Sequence, residues 1–393
     1  MGVTASHGAA GTALPYWRLS GFYFFFFAAL GALMPYWGPY LRAEGFSSAE
    51  IGQLLAILHA TKIVAPNIWG ALADRIGRRM AVVRAASLVA FLAFSAILLA
   101  EAFGAVALVM ALFGFFWNAA LPQYEANTFN HLDGQEHRYS RIRLWGSVGF
   151  IVSVMGLGEL LDRTGFGTLP YMVLLIFGGL AASSLIAPEA GRARRHADGR
   201  GFWATLRQPA VIGFFLACFL NQVGHGPFYS FFSIYLEDHG YSGGLIGALW
   251  AWGVLAEIGV FLLMHRLLPR FGARNLLVLA LALGGVRWLM VAAWVDAAWL
   301  VAVSQTFHAA SFGVYHAVAI DTVNRFFTGP AQGRGQALYS SLTFGAGVAT
   351  GSLLAGQAWD RFGGDTFLAA SAVAFLAAGL AAWSLSSARL QRI

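Results

Sequence analysis

The chain carries one plan twice. P-Y-L-R-A-E-G-F-S-S-A-E-I-G runs from Pro39 to Gly52, and I-Y-L-E-D-H-G-Y-S-G-G-L-I-G runs from Ile234 to Gly247, about 195 residues later. Tyr-Leu, Gly-aromatic-Ser and Ile-Gly fall in register. R-I-G-R-R at Arg75 to Arg79 meets R-F-G-A-R at Arg270 to Arg274 with the same offset. G-x-x-x-D-R-x-G occurs from Gly158 to Gly165 and again from Gly356 to Gly363. The duplication lies in a chain that is 58% hydrophobic and 11% charged, with a mean hydropathy of +0.65. Soluble domains carry about 25% charged residues. Two like halves in a lipid-suited sequence can rock around a site between them, as many secondary transporters do.

Twelve apolar stretches are long enough to cross a bilayer, which takes about 20 helical residues. They lie near 18–41, 48–72, 80–100, 104–130, 140–161, 168–187, 210–236, 243–264, 274–295, 298–323, 335–359 and 366–386. Backbone groups in hydrocarbon must be paired within their own segment, so these stretches are predicted to be helices. The expected fold is an all-α membrane protein, with twelve transmembrane helices in two pseudo-symmetric six-helix halves.

With the N-terminus inside, most of the 25 basic residues fall in cytoplasmic loops; Arg42, Arg163 and Arg361 fall outside, and Lys62 and Arg287 within spans. That bias places both termini in the cytoplasm. It also accounts for the net charge of +7. The positive charges are spread over separate loops, so nucleic acid is not an expected partner. The domain reading is a tail at 1–17, a six-helix bundle at 18–187, a cytoplasmic linker at 188–209, a second bundle at 210–387 and a tail at 388–393. The linker arginines suit anionic headgroups. The tail at 1–17 has no signal-peptide core, so the first span is expected to target the chain. The lone Cys218 excludes an intrachain disulfide. One lysine against 24 arginines hints at a bacterial genome rich in G and C, and a bacterial inner membrane as the location. No Walker-type loop, metal cluster, cofactor loop or nucleophile–base set is present in the sequence, so neither a cofactor nor an enzymatic activity is expected.

The turn after the second span, G-A-L-A-D-R-I-G-R-R from Gly70 to Arg79, resembles the loop signature G-x-x-x-D-R-x-G-R-R of the major facilitator superfamily. As a cytoplasmic gate motif it would use Gly70, Asp74, Arg75, Gly77 and Arg78, the acid capping a helix and pairing with arginine. In the second copy the equivalents of Gly70 and Asp74 are His265 and Pro269, and only the basic part survives.

Within that superfamily the chain is most similar to the lactose permease group, including its phenylpropionate-transporting branch. G-A-L-M-P-Y-W-G-P-Y-L (Gly31 to Leu41), the run Phe22 to Phe27, and R-I-R-L-W-G-S-V-G-F (Arg141 to Phe150) carry the resemblance, together with G-V-R ending at Arg287 and Q-T-F-H ending at His308. It implies that Arg143 pairs with Glu125 and binds substrate beside Phe150. It further implies that Arg287 and His308 belong to a proton-coupling group. The family's carboxylate three residues after the histidine is Ser311 here, and the acid of the eighth span, Glu257, is displaced by about one turn. S-F-G-V-Y-H, ending at His316, is closer to the phenylpropionate branch.

The residues themselves narrow the site further. An ionisable side chain in a span costs several kcal/mol, from about 2.5 upward, unless it is paired or hydrated. Lys62, Glu125, Glu257, Arg287 and Asp321 nevertheless occur in spans. Asn118, Pro122 and Glu125 share a helix face. Lys62 suits either a carboxylate anchor or a packing ion pair, and Asp321 suits pairing with Arg325. Ser304, His308, Ser311 and Tyr315 form a polar face on the tenth span. His308 and His316 lie roughly 12 Å apart along a helix, too far to share one metal ion. His225 and Tyr229, near Gly226 and Pro227, either line the path or satisfy a kink. Trp250 shares a face with Glu257 and can stack on a ring.

The expectation is therefore a monomeric proton symporter that imports a small organic solute by alternating access, an aromatic acid such as phenylpropionate. Substrate would meet Arg143, Glu125, Lys62, Phe150, Trp250, Asn118, His225 and Tyr229, and the proton would be coupled through Glu257, Arg287, His308 and His316. Sugar or nucleoside symport and proton-driven drug efflux are the alternatives. The partners are a small solute, a proton and the bilayer.

Overall fold

The computed structural model describes residues 14–132, 135, 138–190 and 201–386. Most of the tail at 1–17, the centre of the linker at 191–200 and the tail at 388–393 lie outside the described residues. The first six spans are Tyr16–Ala43, Ser48–Ile76, Arg79–Leu99, Phe103–Leu132, Tyr139–Thr164 and Leu169–Ile186. Pro209–Asp238, Gly243–Phe271 and Ala273–Ala293 begin the second half.

The last three spans are less regular. The tenth runs as Ala298–Thr306, a π-helical turn at Ala309–Val314, and Tyr315–Phe326. The eleventh contains a π turn at Ser341–Gly347 between Gln332–Ser340 and Val348–Phe362, and the twelfth is Thr366–Ser384. The apolar run Gln332–Ser384 has 53 residues. At about 1.5 Å per residue it would be far longer than a bilayer is thick, so it folds as two crossings, broken at Gly363–Asp365. Among the described residues twelve crossings result, and an even number brings Leu14 and Ser386 to the same end of the bundle.

Helix starts follow local chemistry. Ser47 caps the second span in a capping box with Glu50, and its repeat equivalent Ser242 caps the eighth by accepting from the Leu245 N–H at 3.2 Å. Lipid-facing positions are apolar: Leu175 and Leu262 are 69% and 70% exposed. Trp17, Trp299 and Trp383 are exposed near span ends, as membrane-interface anchors would be. The first and seventh spans are the most enclosed.

The halves meet where the sequence repeats. The second span packs on the eleventh and the fifth on the eighth, two pairings related by the internal duplication. A Cβ added at Gly52 would lie 2.6 Å from the Ser352 carbonyl and 2.7 Å from Gly356 Cα. A Cβ at the equivalent Gly247 would lie 2.5 Å from the Val154 carbonyl. Only glycine permits backbones to approach this closely.

Each repeated Asp-Arg motif adds a polar contact at the same level. Asp162 accepts from the Gly243 and Gly244 amides at 2.6 and 2.9 Å, at the start of the eighth span. Its counterpart Asp360 accepts from the Ser48 hydroxyl, at the start of the second. A carboxylate at a helix N-terminus meets unpaired N–H groups and the positive end of the dipole. Arg42 completes the seam, with Glu237 at 2.7 Å and Asp238 at 2.6 Å. All of these contacts lie at the end remote from the termini. Towards the end bearing the termini the described polar contacts between halves thin to the Ser341 hydroxyl donating to the Ile63 carbonyl at 3.3 Å, so the polar seam is concentrated at the remote end.

Candidate functional site

In the first half, Arg143 and Glu125 come together from the fifth and fourth spans. Arg143 Nε is 3.9 Å from Glu125 Oε1, with side-chain exposures of 31% and 35%. Tyr139 donates to the same carboxylate oxygen at 3.1 Å. The guanidinium lies 3.7 Å above the Phe27 ring centroid and 5.8 Å from that of Tyr23, so the aromatic run of the first span forms its floor. Phe150 is buried in the packing of the fifth span on the first, where Gly31 meets its backbone. The ring beneath Arg143 is thus Phe27. Asn118 donates to Thr61 Oγ1 at 2.8 Å, tying the fourth span to the second instead of lining the Glu125 face. Lys62 has no ion pair among the described residues.

In the second half Arg287 gathers Gln305, His308 and Ser311 into one network. Arg287 is fully buried between the rings of Phe228 and Trp288, at 4.2 and 4.4 Å. It donates to Gln305 Oε1 at 2.8 Å and to Ser311 Oγ at 3.3 Å, and its NH1 lies 3.1 Å from His308 Nδ1. A guanidinium has no acceptor, so Nδ1 must accept and the proton of a neutral His308 must be on Nε2. Nε2 is the atom 3.5 Å from Glu257 Oε2. The chain of contacts is therefore Arg287 to His308 to Glu257, with the imidazole held in one tautomer.

The π turn at Ala309–Val314 begins directly after His308 and carries Ser311 and Phe312. Such turns open the helical ladder and are frequent at functional sites. Phe312 stacks on His308 at 5.1 Å and on His316 at 6.1 Å, linking the two histidines in a column. His316 Nδ1 is 3.1 Å from the Tyr339 hydroxyl. Trp250 donates to Ser233 at 3.1 Å and packs on Phe228 at 4.4 Å. Tyr229 stacks near Trp250, at 6.5 Å, and His225 meets Trp288 edge-on at 5.1 Å.

At the gate motif, Asp74 pairs with Arg79 at 2.9 Å, and Arg79 also donates to Gln123 at 2.6 Å. The arginine that holds the acid is therefore the last of the motif, beyond Arg75 and Arg78. Gly77 ends the second span in the left-handed region at φ 69°, its N–H donating to the Ala73 carbonyl. Gly70 faces the Gln123 side chain. Asp321 pairs with Arg325 at 2.8 Å within its own helix, unlike its repeat counterpart Glu125.

Sequence reasoning missed Gln305, Phe27, Phe312 and Arg79. Gln305 was visible in the Q-T-F-H motif and Phe27 in the aromatic run. Phe312 stands four residues from each histidine, the spacing of neighbours on a helix face. Arg79 was within the motif itself.

Residues 16–369 match the MFS_1 like family. The chain is 29% identical over 373 residues to a protein of Escherichia coli described as "Probable 3-phenylpropionic acid transporter", covering 91% of this chain and 94% of that one. It is 28% identical over 349 residues to the maltose permease of Geobacillus stearothermophilus, covering 87% of each. The crystal structure of the nucleoside transporter NupG superposes with a TM-score of 0.78 over 95% of this chain and 97% of that one. At 16% identity that likeness is one of fold alone.

Proposed function

Because the chain belongs to the MFS_1 like family of secondary transporters, we propose that it imports a small aromatic carboxylate, of the 3-phenylpropionate type, together with a proton. The membrane is the bacterial inner membrane and both termini are cytoplasmic. The end holding the polar seam is then periplasmic and the structure faces inward. Alternating access consists of undoing the Asp162, Asp360 and Arg42 contacts while the opposite end closes.

The observation that carries this reading is the Glu257–His308–Arg287 chain of the second half, set beside a partly exposed Arg143 over an aromatic floor in the first. Arg143, partly exposed over its aromatic floor, offers the cation that draws the substrate anion into the interior. An incoming anion disturbs the charge balance, and a proton on Glu257 offsets it. His308, fixed by Arg287 with Nε2 towards Glu257, positions and solvates that carboxyl group. Glu257 thus takes the role left open by Ser311, whose hydroxyl serves only as an acceptor for Arg287. Return of the empty carrier requires Glu257 to release its proton inside, which couples the two fluxes.

The identity to the Escherichia coli protein supports the aromatic acid, and that to maltose permease supports a sugar as the second reading. The test follows external pH after substrate is added to de-energised cells containing the protein. Alkalinisation with 3-phenylpropionate, absent in Arg143→Ala, is expected. Alkalinisation with maltose and none with aromatic acids would transfer the assignment to a sugar.

A further inference from the structure

The second span brings to the seam between the halves a histidine that none of the contacts above uses. His59 is 3% exposed, and neither of its ring nitrogens has a hydrogen-bond partner. Its neighbours are committed elsewhere: Thr61 donates to the Leu58 carbonyl at 2.7 Å and receives the Asn118 amide at 2.8 Å. Buried polar atoms in native proteins are almost always paired, so an imidazole with two open nitrogens implies an occupant.

The surroundings indicate which one. The His59 ring is 6.2 Å from that of Tyr229, which belongs to the other half. Tyr229 is in turn 5.9 Å from His225, whose Nε2 is likewise buried and unpartnered, and it stacks near Trp250. Lys62 stands three residues beyond His59, on the same side of the helix, and pairs with no carboxylate among the described residues. A lysine beside an open imidazole, with no acid between them, complements an anion. The adjoining Tyr229–Trp250 surface complements a flat apolar group.

We propose that His59, Lys62 and Tyr229 form a carboxylate subsite that straddles the two halves. His59 donates one ring N–H to the substrate carboxylate, Lys62 supplies the charge, and the Tyr229 hydroxyl closes the site from the opposite half. The substrate ring lies along Tyr229 and Trp250. The subsite rests on the aromatic-carboxylate reading above and adds to it a direct contact from each half to one ligand.

The test is binding to the purified protein in detergent, with 3-phenylpropionate and the neutral alcohol 3-phenylpropanol as paired probes. His59→Ala is expected to weaken the acid about tenfold while leaving the alcohol unchanged. His59→Gln, which retains a donor, falls between the two. If His59→Ala does not fold, the acid-to-alcohol ratio in His59→Gln decides. Wild-type affinity for the acid in the variants would overturn the subsite and leave the transport reading standing. An equal loss for acid and alcohol would also overturn it, since His59 would then only shape the seam. Absence of aromatic-acid binding by the unaltered protein would remove the reading and the subsite together.

Discussion

The two halves are alike where they touch and unlike where they face the interior. At the end holding the polar seam Asp162 and Asp360, Ser47 and Ser242, and Gly52 and Gly247 do matching work on matching helices. In the interior the first half holds Arg143 loosely, partly exposed over Phe27, with Glu125 at 3.9 Å. The second half buries Arg287 completely, between two rings and three hydrogen-bonding side chains. A latch works best when both sides are built alike. A coupled site needs one partner free to meet a ligand and another sheltered enough to hold a fixed proton geometry. The duplicated ends therefore serve the motion, and the diverged centres serve the chemistry.

The largest expected effect separates the two arginines. Arg287→Ala leaves His308, Gln305 and Ser311 with buried, unsatisfied groups and opens a void, a loss of about 2–4 kcal/mol in stability. Arg143→Ala abolishes uptake and changes stability by less than about 1 kcal/mol, because the pair it breaks is long and partly exposed. Thermal unfolding in detergent, set beside uptake, measures both. Equal destabilisation by the two substitutions would erase the contrast between the centres.

The next effect divides the acids. Glu257→Gln is expected to abolish accumulation against a gradient while exchange of labelled for unlabelled substrate continues. Glu125→Gln should impair both, since it acts on the pocket around Arg143. Uptake and exchange in the same vesicles provide the comparison, and loss of exchange in Glu257→Gln would move that residue into the binding group.

Smaller effects sharpen the likeness of the ends. Asp162→Asn and Asp360→Asn each weaken a helix-start contact, at about 0.5–2 kcal/mol. Asp162 should be the more costly, because it holds two amides while Asp360 holds one hydroxyl. Distances between spin labels across that end should lengthen, furthest in the double variant. Unchanged distances would show that the glycine packing alone holds the seam. Arg42→Ala is the mildest, at about 0–1 kcal/mol, because its ion pairs are partly exposed. Its effect should shrink further as salt is raised.

Much of the architecture was legible in the chain. The span pattern is a matter of apolar length, and the superfamily motif marks the turn after the second span. The π turns at Ala309–Val314 and Ser341–Gly347 were not legible, since one extra residue in a helical turn leaves no mark on hydropathy. Asn118 read as a pathway residue on its helical face, yet its amide is committed to Thr61, a partner 57 residues away. Asp321 read correctly as the partner of Arg325, because both atoms of that pair belong to one helix.

The same distinction runs through the whole molecule. The sequence by itself determined twelve crossings in two halves, because backbone in lipid must satisfy its own hydrogen bonds and a duplicated chain repeats its own solution. It also determined the helix starts at Ser47 and Ser242, whose partners lie three residues away. Only the tertiary structure decided which end holds the polar seam, which arginine is buried, and that His59 faces Tyr229. Those outcomes depend on side chains far apart in the chain meeting across helix interfaces, and no local pattern records where such a meeting takes place.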